Sequence, residues 1–166
     1  MINSKLIYKV LGQLLFIEAF LLFISLLVAY YYQQDDIFAF IVATLITIGG
    51  GLILKWKGHG ADNSMSRRDA YLVVSLSWII FSLFGTLPFM VSGYINNFTD
   101  AYFETMSGFT TTGATILDDV ECVPHGLLFW RSLTQWIGGL GIVFFTIALL
   151  PSLVGGQTKV FAAEAT

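Results

Sequence analysis

The chain has 166 residues, of which 56% are hydrophobic and only 11% are charged. Soluble domains carry about 25% charged residues, so this composition excludes a protein whose only solvent is water. The net charge of −3 is uninformative in itself, and we expect no nucleic-acid partner.

Four long apolar stretches follow one another along the chain. They are Leu6–Tyr32, Ile37–Leu54, Ala70–Ile95 and Gly126–Val154. A membrane-spanning helix needs about 20 apolar residues, so all four stretches predict spans. The first stretch is too long for the ~7–15-residue apolar core of a cleaved signal peptide, and we therefore expect it to be retained.

The basic residues predict the orientation in the membrane. Of the eight Lys and Arg residues, all except Arg131 lie before the first stretch or near its start, between the second and third, or after the fourth. The loops Gln33–Asp36 and Asn96–His125 contain acidic residues but no Lys or Arg. Because positive loops stay in the cytoplasm, this pattern predicts two cytoplasmic termini.

The first two predicted helices form a hairpin, because only the short turn Gln33–Asp36 separates them. The third stretch contains Pro88, which removes a backbone donor and predicts a kink. Such a kink is tolerated in a membrane where neighbouring helices pack against it.

The outer loop before the fourth stretch predicts a short helix over Phe98–Phe109. Thr99 could cap this helix, and Asp100 would be favourable in its first turn. Apolar residues spaced by three and four form one face: Phe98, Tyr102, Phe103, Met106 and Phe109. A helix of this length reaches only about half of a ~30 Å hydrocarbon core at ~1.5 Å per residue, so the chain must return outward.

The polar segment Thr110–Thr115 would be that return. Irregular backbone at membrane depth is tolerated where it is buried in protein or lines a water-filled cavity. Its carbonyl groups could replace part of the hydration shell of a cation, and Gly113 permits a positive φ. The segment therefore predicts an ion selectivity filter, with an ordinary re-entrant or extracellular turn as the alternative.

Three runs of sequence resemble one known family. FETMSGFTTTGAT, from Phe103 to Thr115, is similar to the first pore loop of the TrkH group in the Trk/Ktr/HKT superfamily of potassium transporters. The runs Phe129–Gly141 and Leu149–Pro151 also resemble that family. The resemblance implies an all-α multi-pass membrane protein, with an N-terminal helical hairpin and one helix–pore-helix–filter–helix repeat like that of a potassium channel.

The resemblance also implies a division of the chain. The expected parts are an N-terminal transmembrane hairpin at 1–57, a cytoplasmic loop at 58–69, the first pore repeat at 70–154 and the start of a linker to the next repeat at 155–166. The expected function is potassium uptake across the bacterial inner membrane. K⁺ would be the transported ion, and this chain would hold no cofactor.

The resemblance assigns two groups of site residues. The filter would be formed by Thr110, Thr111, Thr112, Gly113 and Ala114. K⁺ would be bound by the backbone carbonyls of Thr111, Thr112 and Gly113. The pore would be supported by Glu104, Arg131, Gly138, Gly139 and Gly141. The three glycines would let another backbone approach closely.

Family members carry four linked repeats, whereas this sequence has one. We therefore expect the N-terminal portion of a longer transporter. Its partners would be the remaining pore repeats or further copies of the chain, a second pore subunit in a homodimer, a TrkA-type cytoplasmic nucleotide-binding regulator, and the lipid bilayer. The alternatives are a homotetrameric small cation channel and a non-conducting structural membrane subunit.

The sequence leaves the roles of two charged residues in the repeat, Arg131 and Glu104, undecided. A charge inside the membrane should have a partner, and the candidates for Arg131 are Asp118, Asp119 and Glu121. Pairing with carbonyls of the short helix and snorkelling to the interface are alternatives. Glu104 could stabilise the short helix, attract cations to the pore mouth, or lie on a solvated face.

No catalytic motif is recognisable in the sequence. A membrane-embedded enzyme would draw on Ser107, Glu104 and His125, but their spacing does not demand nucleophile and base roles. We therefore expect no enzymatic activity.

Overall fold

All the regular structure in the described part of the chain is helical. The computed structural model describes residues 2–62, 66–117, 119–120 and 122–143. Within these ranges three segments are long and apolar enough to cross a membrane: Ser4–Tyr32, Ile37–Lys57 and Arg68–Val91. The predicted all-α multi-pass membrane fold is confirmed. The later part of the fourth predicted span and the predicted linker 155–166 lie outside the described residues.

The first two helices form the predicted hairpin. Helix α1 is Ser4–Tyr32 and helix α2 is Ile37–Lys57, and the two pack against each other. The Asn3 side chain caps α1 by accepting a hydrogen bond from the Leu6 backbone N–H at 3.2 Å. Gln33 ends α1 in the left-handed region, with φ of 52°.

The third predicted span is interrupted at Thr86. Helix α3 is Arg67–Gly85 and helix α4 is Leu87–Val91. Ser66 and Asp69 form a capping box at the start of α3, in which each side chain accepts a hydrogen bond from the other residue's backbone N–H. The interruption lies next to Pro88, which has no N–H to continue the α3 ladder. The predicted kink is therefore confirmed.

Helix α5 is Phe98–Phe109, with the predicted bounds. Its cap differs from the prediction, because the Asn97 side chain, not that of Thr99, accepts a hydrogen bond from the Thr99 backbone N–H at 3.0 Å. The helix buries mainly small and polar residues against the rest of the chain. Phe98 and Phe103 on the predicted apolar face remain 48% and 45% exposed.

Helix α6 spans 125–143 and is held by both α3 and the hairpin. The fully buried Trp130 donates its indole N–H to the Gly85 carbonyl at 3.0 Å. Trp130 and Leu127 share one apolar core with Leu22 of α1 and Phe40 of α2. The hairpin is therefore part of the same core that positions α6.

The hairpin turn also caps the start of α6. The buried Asp36 carboxylate accepts a hydrogen bond from the Leu127 backbone N–H at 3.2 Å. The Gln34 side-chain oxygen accepts a bond from the His125 backbone N–H at 2.6 Å, and the His125 ring stacks on Tyr32 at 4.1 Å. A turn 91 residues earlier in the chain thus supplies the acceptors that α6 needs at its N-terminus.

Candidate functional site

In the segment that follows α5, the first three backbone N–H groups donate hydrogen bonds to carbonyl groups of that helix. The Thr110 N–H donates to the Met106 carbonyl at 2.8 Å, and the Thr111 N–H donates to the Gly108 carbonyl at 2.9 Å. The Thr112 N–H then donates to the Ser107 carbonyl at 3.0 Å. The end of α5 therefore fixes the beginning of the segment through three successive backbone hydrogen bonds.

Four successive carbonyl groups of the same segment accept no hydrogen bond from the described residues. Across the described residues, no hydrogen bond is donated to the carbonyls of Thr110, Thr111, Thr112 or Gly113, and all four residues are exposed. The Ala114 carbonyl differs, because it accepts a hydrogen bond from the Ser107 hydroxyl at 2.6 Å. Backbone carbonyls are usually paired, so four successive free ones are available to a ligand that wants oxygen donors.

Two residues of the segment have a positive φ. Gly113 has φ of 75°, and a Cβ added there would meet nothing within 4 Å. The glycine is thus needed for its backbone conformation, as the sequence predicted, and not for space. Thr111 has φ of 56°, a conformation that β-branched residues rarely adopt and that costs about 1–3 kcal/mol.

Hydroxyl groups brace this strained backbone. The Thr110 hydroxyl lies 2.7 Å from the Met106 carbonyl, to which it donates, and 2.9 Å from the Thr112 hydroxyl. Together with the bond from Ser107 to Ala114, these contacts tie both ends of the segment to α5. Strain in an element held this firmly is typical of functional sites.

Glu104 of α5 is buried, and both oxygens of its carboxylate accept hydrogen bonds. It is 2% exposed and accepts a hydrogen bond from Arg131 Nε at 2.6 Å. The same carboxylate accepts bonds from the Thr115 hydroxyl at 2.9 Å and from the Ile116 backbone N–H at 3.1 Å. One carboxylate thus joins α5, α6 and the far end of the segment.

This pairing corrects two sequence-based expectations. The partner shown for Arg131 is Glu104, not one of the predicted outer-loop acids, of which Asp118 and Glu121 lie outside the described residues. Glu104 does not lie on a solvated face. The sequence carried part of this signal, since Arg131 stands alone as a charge in its apolar stretch and requires a partner, but it did not specify Glu104 as that partner.

The predicted glycines of α6 make different contacts. A Cβ added at Gly138 would overlap the Phe109 carbonyl oxygen and lie 2.7 Å from the Phe109 carbonyl carbon. A Cβ added at Gly139 would meet the Thr111 methyl group at 3.9 Å, an ordinary contact. Gly138 is therefore the position at which α6 touches the backbone at the end of α5.

Two further glycines make close contacts around the site. A Cβ added at Gly141 would lie 3.3 Å from the Trp78 ring of α3, so this glycine faces a side chain and not a backbone. The sequence did not single out Gly108, which packs against Thr134 of α6 so closely that an added Cβ would overlap the hydroxyl oxygen. Its position on the buried face of α5 was the available signal.

The three residues considered for an enzyme are engaged separately. Ser107 donates to the Ala114 carbonyl, Glu104 pairs with Arg131, and His125 lies against Gln34 and Tyr32. They do not form a nucleophile and base arrangement.

Known proteins with similar sequences identify the family. The model of the TrkH family, described as a cation transport protein, matches residues 33–166. The chain belongs to the TrkH family. The family consists of transport proteins, and this TrkH-family chain is not an enzyme.

Individual relatives agree with this assignment. The Trk system potassium uptake protein TrkH of Halomonas elongata is 37% identical over 163 residues, which are 98% of this chain and 34% of that protein. The protein of the same name from Salmonella typhimurium is 35% identical over 163 residues, again 98% of this chain and 34% of that protein. The TrkH-family chain thus spans about a third of the length of these relatives.

A solved structure has the same fold. The crystal structure of the potassium transporter TrkH from Vibrio parahaemolyticus matches with a TM-score of 0.82 at 31% identity. The match covers 89% of this chain and 32% of that one.

Proposed function

We propose that the chain supplies one quarter of a potassium-conducting pore, with its filter at Thr110–Gly113. The observation that carries this proposal is the row of four successive backbone carbonyls that accept no hydrogen bond among the described residues. Carbonyl oxygens arranged in this way can replace the hydration shell of K⁺ without any covalent chemistry. The names of the relatives, all potassium uptake proteins, supply the choice of ion.

The geometry of α5 supports a role as the pore helix. Its 12 residues extend about 18 Å at ~1.5 Å per residue, little more than half of a ~30 Å hydrocarbon core. Its C-terminal end carries the partial negative charge of the helix dipole and leads directly into the free carbonyls. A cation beside Thr111, Thr112 and Gly113 would therefore be favoured by both the dipole and the oxygens.

The Glu104–Arg131 pair would hold this filter in shape. Glu104 fixes Thr115 and Ile116 beyond the filter, while Ser107 fixes the Ala114 carbonyl. The Ala114 carbonyl is therefore not offered to the ion, and we limit the proposed ion-binding carbonyls to the residues before it. Gly138 would set the distance between α6 and the start of the filter.

The family relationship supports our proposals for the remaining parts of the assembly. We propose the hairpin at 1–57, the cytoplasmic loop at 58–69 and the first pore repeat at 70–154, with 155–166 beginning a linker. The basic residues near Lys5 and Lys55 support two cytoplasmic termini, and the family relationship supports a location in the bacterial inner membrane. Further pore repeats would complete the ring, with a second pore subunit and a TrkA-type regulator as partners.

The test is Gly113→Asp in the full-length protein. Potassium and rubidium uptake would be measured in cells that lack their own potassium-uptake systems. We expect uptake to be lost or its ion selectivity to change grossly, because the substitution adds a charge and a side chain at a positive φ. Gly60→Asp is the matched control, since Gly60 also has a positive φ, 71°, and open surroundings, yet it lies in the loop after α2.

The control separates the filter from general strain. Wild-type uptake in Gly60→Asp together with lost uptake in Gly113→Asp, at equal amounts in the membrane, supports the proposal. Unchanged uptake and selectivity in Gly113→Asp would show that the filter lies elsewhere.

A further inference from the structure

A second buried glutamate lies far from the proposed filter. Glu18 is in the middle of α1 and is 1% exposed. Neither oxygen of its carboxyl group has a hydrogen-bond partner within the described residues. The proposed mechanism of ion conduction does not use this group.

The helices packed around Glu18 offer no charge to neutralise it. Helix α1 packs against α2 and α3, and its Leu22, one turn after Glu18, shares a core with Leu127 and Trp130 of α6. The one Lys, Arg, Asp or Glu in 125–143 is Arg131, which pairs with Glu104. Residues 37–54 and 70–91 contain no Asp, Glu, Lys, Arg or His. All the tyrosines of α1 and α3 are exposed: Tyr8, Tyr30, Tyr31, Tyr32 and Tyr71. The parts of α2 and α3 that cross the membrane interior beside α1 therefore carry no charge.

The charged residues of the three helices lie near their ends. One end is marked by the hydrogen bond from the Asn3 backbone N–H to Asp69 at 3.0 Å. The charges toward that end are Lys5, Lys9, Lys55, Lys57, Arg67, Arg68 and Asp69, and Asp36 lies at the other end. Glu18 is nine residues from Lys9, about 13 Å along a helix at ~1.5 Å per residue.

Lys55 of α2 does not neutralise Glu18. The Lys55 ammonium lies over the Phe16 ring, 5.6 Å from its centroid, and forms no ion pair with Glu18. The buried hydroxyls of α2 do not compensate either, because Thr47 donates to the Ala43 carbonyl at 2.8 Å and the Thr44 hydroxyl oxygen has no partner among the described residues.

The described residues supply no donor to the Glu18 carboxyl group, and its side chain is closed to solvent. At 1% exposure, the Glu18 side chain is already covered by this chain itself. An ionised carboxylate held in an apolar interior without partners is strongly unfavourable, and such groups take up a proton instead. The neutral acid carries no charge that must be compensated.

We propose that Glu18 is a proton-binding site inside the N-terminal hairpin, and that it holds its proton at neutral pH. Helix α1 then crosses the membrane interior without a net charge. The ligand is the proton itself, and a metal cation is disfavoured because a single carboxylate offers it too few oxygens. This site is independent of the proposed filter.

The proposal can be tested by infrared spectroscopy of the full-length protein in lipid at neutral pH. We expect the difference spectrum between the wild type and Glu18→Gln to show the loss of one carboxylic-acid C=O band, which shifts on deuteration. Glu104→Gln is the matched control, because Glu104 is equally buried but ion-paired with Arg131. Its difference spectrum should show the loss of carboxylate bands.

A measurement on the wild type alone guards against a misfolded variant. With ¹³C-labelled glutamate, we expect one acid band to persist as the pH rises above the range in which exposed carboxyl groups ionise. Disappearance of all acid bands within that range, or carboxylate bands in the Glu18→Gln difference spectrum, would overturn the proposal by showing that Glu18 is ionised.

Discussion

The hairpin and the region around α5 each bury one glutamate, and the two carboxyl groups have opposite surroundings. Glu18 is 1% exposed and Glu104 is 2% exposed. Glu104 accepts hydrogen bonds from Arg131, Thr115 and Ile116, whereas Glu18 has no partner among the described residues. Two equally buried carboxyl groups in one small domain therefore have entirely different surroundings.

The difference follows from the backbone around each group. In the hairpin, regular helices use their N–H groups in their own ladders and leave no donor for a buried side chain. After α5 the chain is irregular, and the Ile116 N–H is free to bind Glu104. Burial alone thus does not decide the state of a carboxyl group in this protein. The donors offered by neighbouring backbone and side chains decide it.

The most direct test of this difference is to replace each glutamate by glutamine. We expect Glu104→Gln to lower the free energy of unfolding by about 3 kcal/mol, because it removes the partner of a largely buried Arg131. Glu18→Gln resembles the neutral acid and should change stability by less than about 1 kcal/mol. Thermal unfolding of the purified full-length proteins in detergent would measure both effects.

The double variant Glu104→Gln with Arg131→Met sharpens the result. If the two groups act as a pair, its loss of stability should be smaller than the sum of the single losses. Equal losses in the Glu18 and Glu104 variants would contradict the distinction between the two regions.

The partnered region also depends on the close contact between α5 and α6. We expect Gly138→Ala to destabilise by about 1–3 kcal/mol and to reduce potassium uptake strongly, since the new methyl group would overlap the Phe109 carbonyl. Gly139→Ala is the control, because its methyl group would meet only Thr111 at 3.9 Å. Similar uptake by the two variants would argue against a role for this contact in holding the proposed filter.

The smallest expected effect concerns Asp36, which joins the two regions. Burial raises the pKa of its carboxyl group above the ordinary value, although backbone N–H groups, including that of Leu127, act in the opposite direction. The folded state therefore binds this proton more tightly than the unfolded state. As a result, this group's contribution makes stability fall as the pH rises from the ordinary aspartate range through the raised pKa.

Asp36→Asn should remove that slope and shift stability by less than about 1 kcal/mol at neutral pH, because the amide oxygen can still accept the Leu127 N–H. Unfolding temperatures measured between pH 4 and pH 8 would reveal the change. Asp35→Asn in the same turn is the control, since Asp35 is exposed. An undiminished slope in Asp36→Asn would assign the pH dependence to another group.

Much of the fold was predictable from local sequence. The apolar stretches predicted the hairpin, Pro88 predicted the interruption of the third span, and the spacing of apolar residues predicted Phe98–Phe109 as a helix. The need for a positive φ at Gly113 was also foreseeable, because glycine in a polar return has few other reasons to occur. These features depend on residues close together in the chain.

Other features of the site were not predictable in the same way. The cap of α5 was placed on Thr99, although Asn97 provides it, because several polar residues there can act as caps. The partner of Arg131 was sought in the nearest acids of the sequence, whereas packing brings Glu104 to it. Nothing in the sequence indicated the positive φ of Thr111, since threonine ordinarily avoids that conformation.

The sequence by itself was enough to predict that the chain lies in a membrane, where the described helices occur and which family the chain resembles. Composition, spacing and motifs are local properties of the chain, so no tertiary structure was needed for these predictions. Only the tertiary structure decided which polar groups meet. Glu104 and Arg131 are 27 residues apart, and Asp36 and Leu127 are 91 residues apart. Only packing decided that Glu18 would be enclosed without a partner among the described residues, since no local pattern specifies how the faces of separate helices come together.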